Sequence, residues 1–156
     1  MNARRRAFAT LALAVFLAPV PASAQGGNSC AISVTGVDFG TYDVFSVTPV
    51  RSTGGVTFRC GGRVPTNPVR IGLSPGRSST FYPRVLSRAG ESLAYNLYRD
   101  AAGTQIWGDG TNGTFDVPMT FQANQWIPLT IYAEIPPSQD VTAGAYTDAI
   151  TATINF

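Results

Sequence analysis

No His occurs in the 156 residues, and all eleven basic side chains are Arg, so there is no Lys. That removes Ser-His-Asp and Cys-His catalysis, the commonest metal ligand, and Lys nucleophiles or Schiff bases. Carboxylates remain for acid–base work. Asp100 and Asp109 flank an expected hairpin, and two carboxylates across a substrate are the arrangement of a glycosidase. The competing reading weighs far more: Arg-Asp and Asp-Gly dipeptides shape turns, or the acids pair with Arg99. Gly108, Gly110 and Gly113 do not follow a strand and open a helix, as a phosphate cradle requires. Asn112-Gly113-Thr114 matches a glycosylation sequon but reads better as a turn. Trp107 and Trp126 could meet a ligand, yet both adjoin strand patterns, which favours packing. Two cysteines without His do not make a structural zinc site. No catalytic, cofactor-binding or metal residue is therefore expected.

The cysteines speak instead about compartment. Arg4, Arg5 and Arg6 precede an apolar run from Ala7 to Val20, and Ala22-Ser23-Ala24 is a small-residue cleavage site. Residues 1–24 thus read as a secretory signal of bacterial type, and 25–156 as one domain. The run is short for a membrane span, and no later stretch is long and apolar enough to be one. No Cys follows the cleavage point, which argues against a lipid anchor. Export favours a Cys30–Cys60 disulfide. Removing Arg4, Arg5 and Arg6 leaves eight basic against nine acidic residues, near −1 from a formal +2. Nucleic acid and anionic membrane are then poor partners.

These residues must be placed by strands, because no segment shows sustained helical periodicity. Cys30–Thr35, Val56–Cys60, Val69–Leu73, Leu93–Tyr98 and Trp126–Ile135 alternate apolar with polar. Gly54-Gly55 reads as a turn, 81–88 fits no simple pattern, and Thr114–Phe121 fits a short edge strand around Pro118. Tyr146–Phe156 alternates too, interrupted only by Asp148. Short strands between Gly/Pro turns make the chain all-β, a sandwich.

Tyr95-Asn96-Leu97-Tyr98 followed by Ile106-Trp107-Gly108-Asp109-Gly110 resembles the central motif of the spore coat protein U domain family, which includes archaic chaperone–usher pilus subunits. Cys30, Phe39-Gly40-x-Tyr42, Cys60-Gly61, Ile131-Tyr132 and Gly144-x-Tyr146-x-Asp148 follow the same order, so the resemblance spans nearly all of Cys30–Phe156. It implies a secreted, immunoglobulin-like Greek-key sandwich that in pilus members lacks a strand and accepts one from another chain. The partners it implies are a periplasmic chaperone, an outer-membrane usher and neighbouring subunits, on the way to a cell-surface fibre. It makes Ile150, Ala152, Ile154 and Phe156 the expected lining of the accepting groove. Only Gln25–Ser29 separate the expected cleavage point from Cys30, with no large hydrophobe among them, so an acceptor with little to donate is expected. Two alternatives stand beside the fibre subunit. One is a self-complete coat or matrix protein of the same family. The other is a glycan-binding module using Trp107 or Tyr98.

Overall fold

Wherever apolar residues recur at every second position, the chain pairs into antiparallel sheet. The computed structural model describes residues 29–62, 68–120 and 124–155. The expected signal segment, the leader 25–28 and Phe156 lie outside them. The strands are β1 (Ser29–Thr35), β2 (Val50–Gly61), β3 (Val69–Leu73), β4 (Arg84–Arg88), β5 (Glu91–Tyr98), β6 (Val117–Met119), β7 (Ile127–Ile135) and β8 (Ala152–Asn155). One sheet runs β1-β2-β7-β5-β4 and the other β6-β3-β8. The described residues contain no helix, and the all-β sandwich expected from the sequence is the fold.

The inner faces supply the core. β2 gives Val56, Phe58 and Cys60, β5 gives Leu93, Tyr95 and Leu97, and β7 gives Ile131, Ala133 and Ile135. Val69, Ile71 and Leu73 of β3 face them from the smaller sheet. Each large side chain sealed here contributes about 1.5–3 kcal/mol of transfer free energy. Trp107 is fully buried between the layers, and its indole N–H donates to Ile71 O at 2.9 Å. Cys30 and Cys60 face each other across the β1–β2 ladder and form the disulfide.

Three expectations change. Gly54-Gly55 is not a turn but the middle of the twelve-residue strand β2. A Cβ on Gly54 would stand 2.8 Å from both Thr35 O and Val37 Cγ2, so Gly is there to let the end of β1 approach. The segment 81–88, which fitted no pattern, holds the edge strand β4.

The final strand is shorter than its alternation suggests: the ladder to β3 begins only at Ala152. Before it, Thr147 pairs with Ser87 of β4, exchanging both backbone bonds at 2.9 and 3.2 Å. Thr151 then exchanges with Ser74, its N–H donating to Ser74 Oγ and its carbonyl accepting the Ser74 N–H, both at 2.9 Å. The chain switches from one sheet to the other across Asp148, and a segment changing partners cannot hold one ladder.

Candidate functional site

Register decides where the sandwich is open. Ile32 lies opposite Phe58, and Val34 opposite Val56, in the β1–β2 pair. Directly opposed residues share a face of the sheet. Yet Phe58 and Val56 are sealed, while Ile32 and Val34 are 37% and 50% exposed. The inner face is covered up to β2 and bare over β1. β1 is one edge of the large sheet and β8 one edge of the small sheet, and the two edges flank the gap.

Ile150, Ala152 and Ile154 line its far side, half-buried and packed against the core, while Thr151, Thr153 and Asn155 between them are exposed. The family resemblance makes these three the expected groove lining; of them Ile150 and Ala152 bound a cavity between the sheets, and Phe156 is outside the described residues. The floor contains a cavity of about 190 Å³ bounded by Val34, Gly36, Leu86, Tyr95, Ile131 and Ala152. It runs into a wider cleft of about 1010 Å³ between segments 37–44 and 141–148, and the two share Val37, Phe39, Leu86 and Asp148. Phe39 stands edge-on to Tyr95, ring centroids 5.9 Å apart, at the junction. The result is a continuous, mainly apolar trough whose narrow end lies between the β1 and β8 edges and whose wide end is walled by segments 37–44 and 141–148.

The walls of the trough are tied by side chains. Asp148 accepts the Tyr95 hydroxyl at 2.8 Å and the Arg77 N–H at 2.9 Å. Burial, then that bond to Asp148, push the Tyr95 phenol well above its usual range, so it stays a donor. The Gln139 side chain behaves as an extra strand residue: its carbonyl accepts the Ala94 N–H at 2.8 Å and its amide donates to Ala94 O at 2.9 Å. Tyr42 accepts the Gln139 N–H at 2.9 Å and donates to Pro136 O at 3.1 Å.

Asn96, Trp107 and Gly108 of the motif lie elsewhere, at a closed end, while Tyr95 and Leu97 reach from it to the cavity floor. Arg84 is fully buried. Its guanidinium donates to Ser74 O at 3.1 and 3.0 Å, to Asn96 Oδ1 at 2.8 Å and to Trp107 O at 2.7 Å. Burial pulls its pKa down to about 10, which still leaves it charged near neutrality. Asn96 Oδ1 also accepts the Leu97 N–H at 2.9 Å. Gly108 has no room for a side chain, since a Cβ would stand 2.6 Å from Thr114 Cβ. Tyr95, Asn96, Leu97, Trp107 and Gly108 therefore build a polar plug and its packing, and Trp107 is too deep to touch a ligand. Tyr98 faces outward and half-exposed.

The carboxylates shape turns. Asp109 accepts the Thr111 hydroxyl and N–H, and these bonds hold it below its usual range. Burial alone would raise Asp100, but the Gln105 and Thr104 donors outweigh it and leave it depressed. Arg99 pairs with neither; it donates to Gln105 Oε1 at 2.5 Å and Asp116 O at 2.6 Å. Gly110 takes φ 87° in the same turn region, and the sequon residues Asn112 and Gly113, at φ 51° and 76°, form a tight turn. Trp126 is 46% exposed beneath Arg59, whose guanidinium is 4.9 Å from the ring centroid. Among the described residues no helix is long and apolar enough to cross a membrane.

Arg84 and Gln139 were missed as organisers, and Ile32 and Val34 as groove wall. The alternation puts Ile32 and Val34 on one face with Cys30, but whether anything covers that face depends on the opposite sheet.

Against known families, the Spore Coat Protein U domain matches residues 16–153. The chain belongs to the Spore Coat Protein U domain family. Protein U of Myxococcus xanthus is 30% identical over 165 residues, covering 96% of this chain and 90% of that protein. In structure, this Spore Coat Protein U domain is similar to a chain of the CsuC–CsuE chaperone–tip adhesion subunit pre-assembly complex from archaic chaperone-usher Csu pili of Acinetobacter baumannii. That similarity has TM-score 0.57 and 22% identity over 83% of this chain, and spans 40% of the other. The P pilus rod subunit PapA gives TM-score 0.52 and 16% identity over 81% of this chain and 97% of its own. At such identities these two support the immunoglobulin-like fold alone.

Proposed function

We propose that this protein is a non-enzymatic, secreted structural subunit of a chaperone–usher type surface fibre, and that it works by accepting a strand from another chain. The observation that carries the reading is the bare inner face at Ile32 and Val34, opposite Ile150, Ala152 and Ile154, with a sheet edge on either side. An extended segment laid in that trough pairs its backbone with a rim strand and sends alternate side chains into the core. Left empty, the same edge is an aggregation hazard. A periplasmic chaperone is the first occupant and a neighbouring subunit the second, with an outer-membrane usher exchanging them. Residues 1–24 act as the export signal.

The test is co-expression with a periplasmic chaperone encoded beside the protein. A stable one-to-one complex is expected. Ile154→Asp on the groove side of β8 should abolish it, while Thr153→Asp on the exposed side should leave it intact. A soluble, monodisperse chain that ignores the chaperone would overturn the reading. That outcome favours a second one, a self-complete coat or matrix protein, for which the 30% identity to Protein U over 90% of that protein's length speaks.

A further inference from the structure

We propose a second binding site, for a short saccharide, on the outer face of the five-stranded sheet, on the side of β7 away from the groove. Ile131, Ala133 and Ile135 of β7 face the core, so Tyr132 and Glu134 between them face out. Register sets Thr53, Tyr132 and Tyr98 in one row across three strands, and Arg51 beside Glu134 in the next. The 99–105 loop walls the row on one side: a Cβ on Gly103 would lie 3.9 Å from the Tyr98 ring. Asp100 holds that loop rigid through the N–H groups of Thr104 and Gln105, the latter at 2.7 Å. Together these residues bound a preformed cleft of about 380 Å³, at the small end of the roughly 300–1000 Å³ typical of ligand sites.

The unused groups in this cleft define its ligand. Among the described residues, neither the Tyr98 nor the Tyr132 hydroxyl has a hydrogen-bond partner. Arg51 Nε donates to Glu134 Oε2 at 2.8 Å, and among the described residues the terminal guanidinium nitrogens and Glu134 Oε1 have no further partner. Burial, then the Glu134 charge, push the Tyr98 phenol above its usual range, so it remains a donor. Two half-exposed rings, two hydroxyls, a carboxylate acceptor and a guanidinium donor suit a ligand with an apolar C–H face and a rim of vicinal hydroxyls. Glu134 disfavours phosphate or another anion, because its charge already balances Arg51. A peptide strand has no edge to pair with on a sheet face. Of the two residues the sequence suggested for glycan contact, Trp107 is sealed in the core and Tyr98 lies in this cleft.

The experiment is saturation-transfer NMR on the exported protein, with its partner bound if the two purify together, since the outer face is free of the groove. Short cello-, chito-, manno- and galacto-oligosaccharides are the probes, at millimolar concentration. At least one class should bind and broaden or shift Tyr98 and Tyr132 ring signals. Tyr132→Ala should weaken it about tenfold, and Glu134→Gln about twofold to tenfold. Near-UV circular dichroism reports whether each variant is folded. Should Tyr132→Ala unfold, Tyr132→Phe and Arg51→Ala, which keep the sheet packing, replace it and must also weaken binding. No binding by any probe, or binding that folded variants leave unchanged, overturns the proposal.

Discussion

Two regions of this sandwich use opposite physics on the same two sheets. At the closed end, a buried guanidinium donates to the carbonyls of Ser74 and Trp107 and to Asn96 Oδ1, and Trp107 fills the space between the layers. At the open edge, Ile32 and Val34 show the chemistry of core residues without a core around them. Phe58 and Ile32 oppose each other on one face, yet one is sealed and the other 37% exposed. On the proposed function, the difference separates two jobs: the plug fixes how the sheets sit, and the trough is kept for a strand from another chain.

The sharpest way to break that division is at Arg84. Arg84→Met keeps much of the volume but strands the carbonyls of Ser74 and Trp107. Each of the three acceptors left without this donor costs about 1–3 kcal/mol, and their sum is read as a fall in the denaturant midpoint. Ile154→Ser, at the half-buried groove wall, should cost less than about 1.5 kcal/mol. Equal losses at the two sites would show that trough and plug belong to one core.

Next in size is the disulfide. It ties an exposed edge strand to the sealed strand β2 across a separation of 30 residues. Opening that loop should cost roughly 3–4 kcal/mol in the chain-entropy model. In a Cys30→Ala/Cys60→Ala double variant the loss should concentrate on β1: amides 31–35 should exchange first, with Leu97 and Ile131 still protected. Uniform loss of protection would mean that β1 is no weaker than the closed end.

Much of this could be read before any coordinates. The alternation in Cys30–Thr35 and Trp126–Ile135 follows local period-2 rules, and the Cys30–Cys60 disulfide follows from two cysteines behind an export signal. What was hidden depends on distant neighbours. Gly54-Gly55 carries the dipeptide of a turn, but Thr35 at the end of β1 and Val37 just beyond it crowd Gly54. Arg84 is a charged residue in an unpatterned segment, and only the convergence of 74, 96 and 107 makes it central. Tyr146–Phe156 keeps its alternation through a sheet switch because alternation records facing, not pairing partner.

The smallest effect tests how firmly the wide end of the trough is closed. Its wall, segment 141–147, is held to the β4–β5 turn by Glu91, which accepts the Thr142 hydroxyl at 2.5 Å and the Tyr146 hydroxyl as well. Arg88 donates to Thr142 Oγ1 at 2.9 Å and completes the clasp. The bonds from Thr142 and then Tyr146 hold the Glu91 carboxyl below its ordinary 4.5. A depressed folded-state value means the stabilisation is complete above 4.5 and drains away as pH falls through the lowered value. Amides of 142–147 should therefore exchange faster in acid, while those of the Arg84 plug hold. In Glu91→Gln the same amides should be less protected at neutral pH and show no added opening across that window. Because Glu91 is at the surface, global stability should move little. If the plug and the wall opened together as the pH fell, the closed end and the open edge would be one cooperative unit rather than two regions with separate tasks.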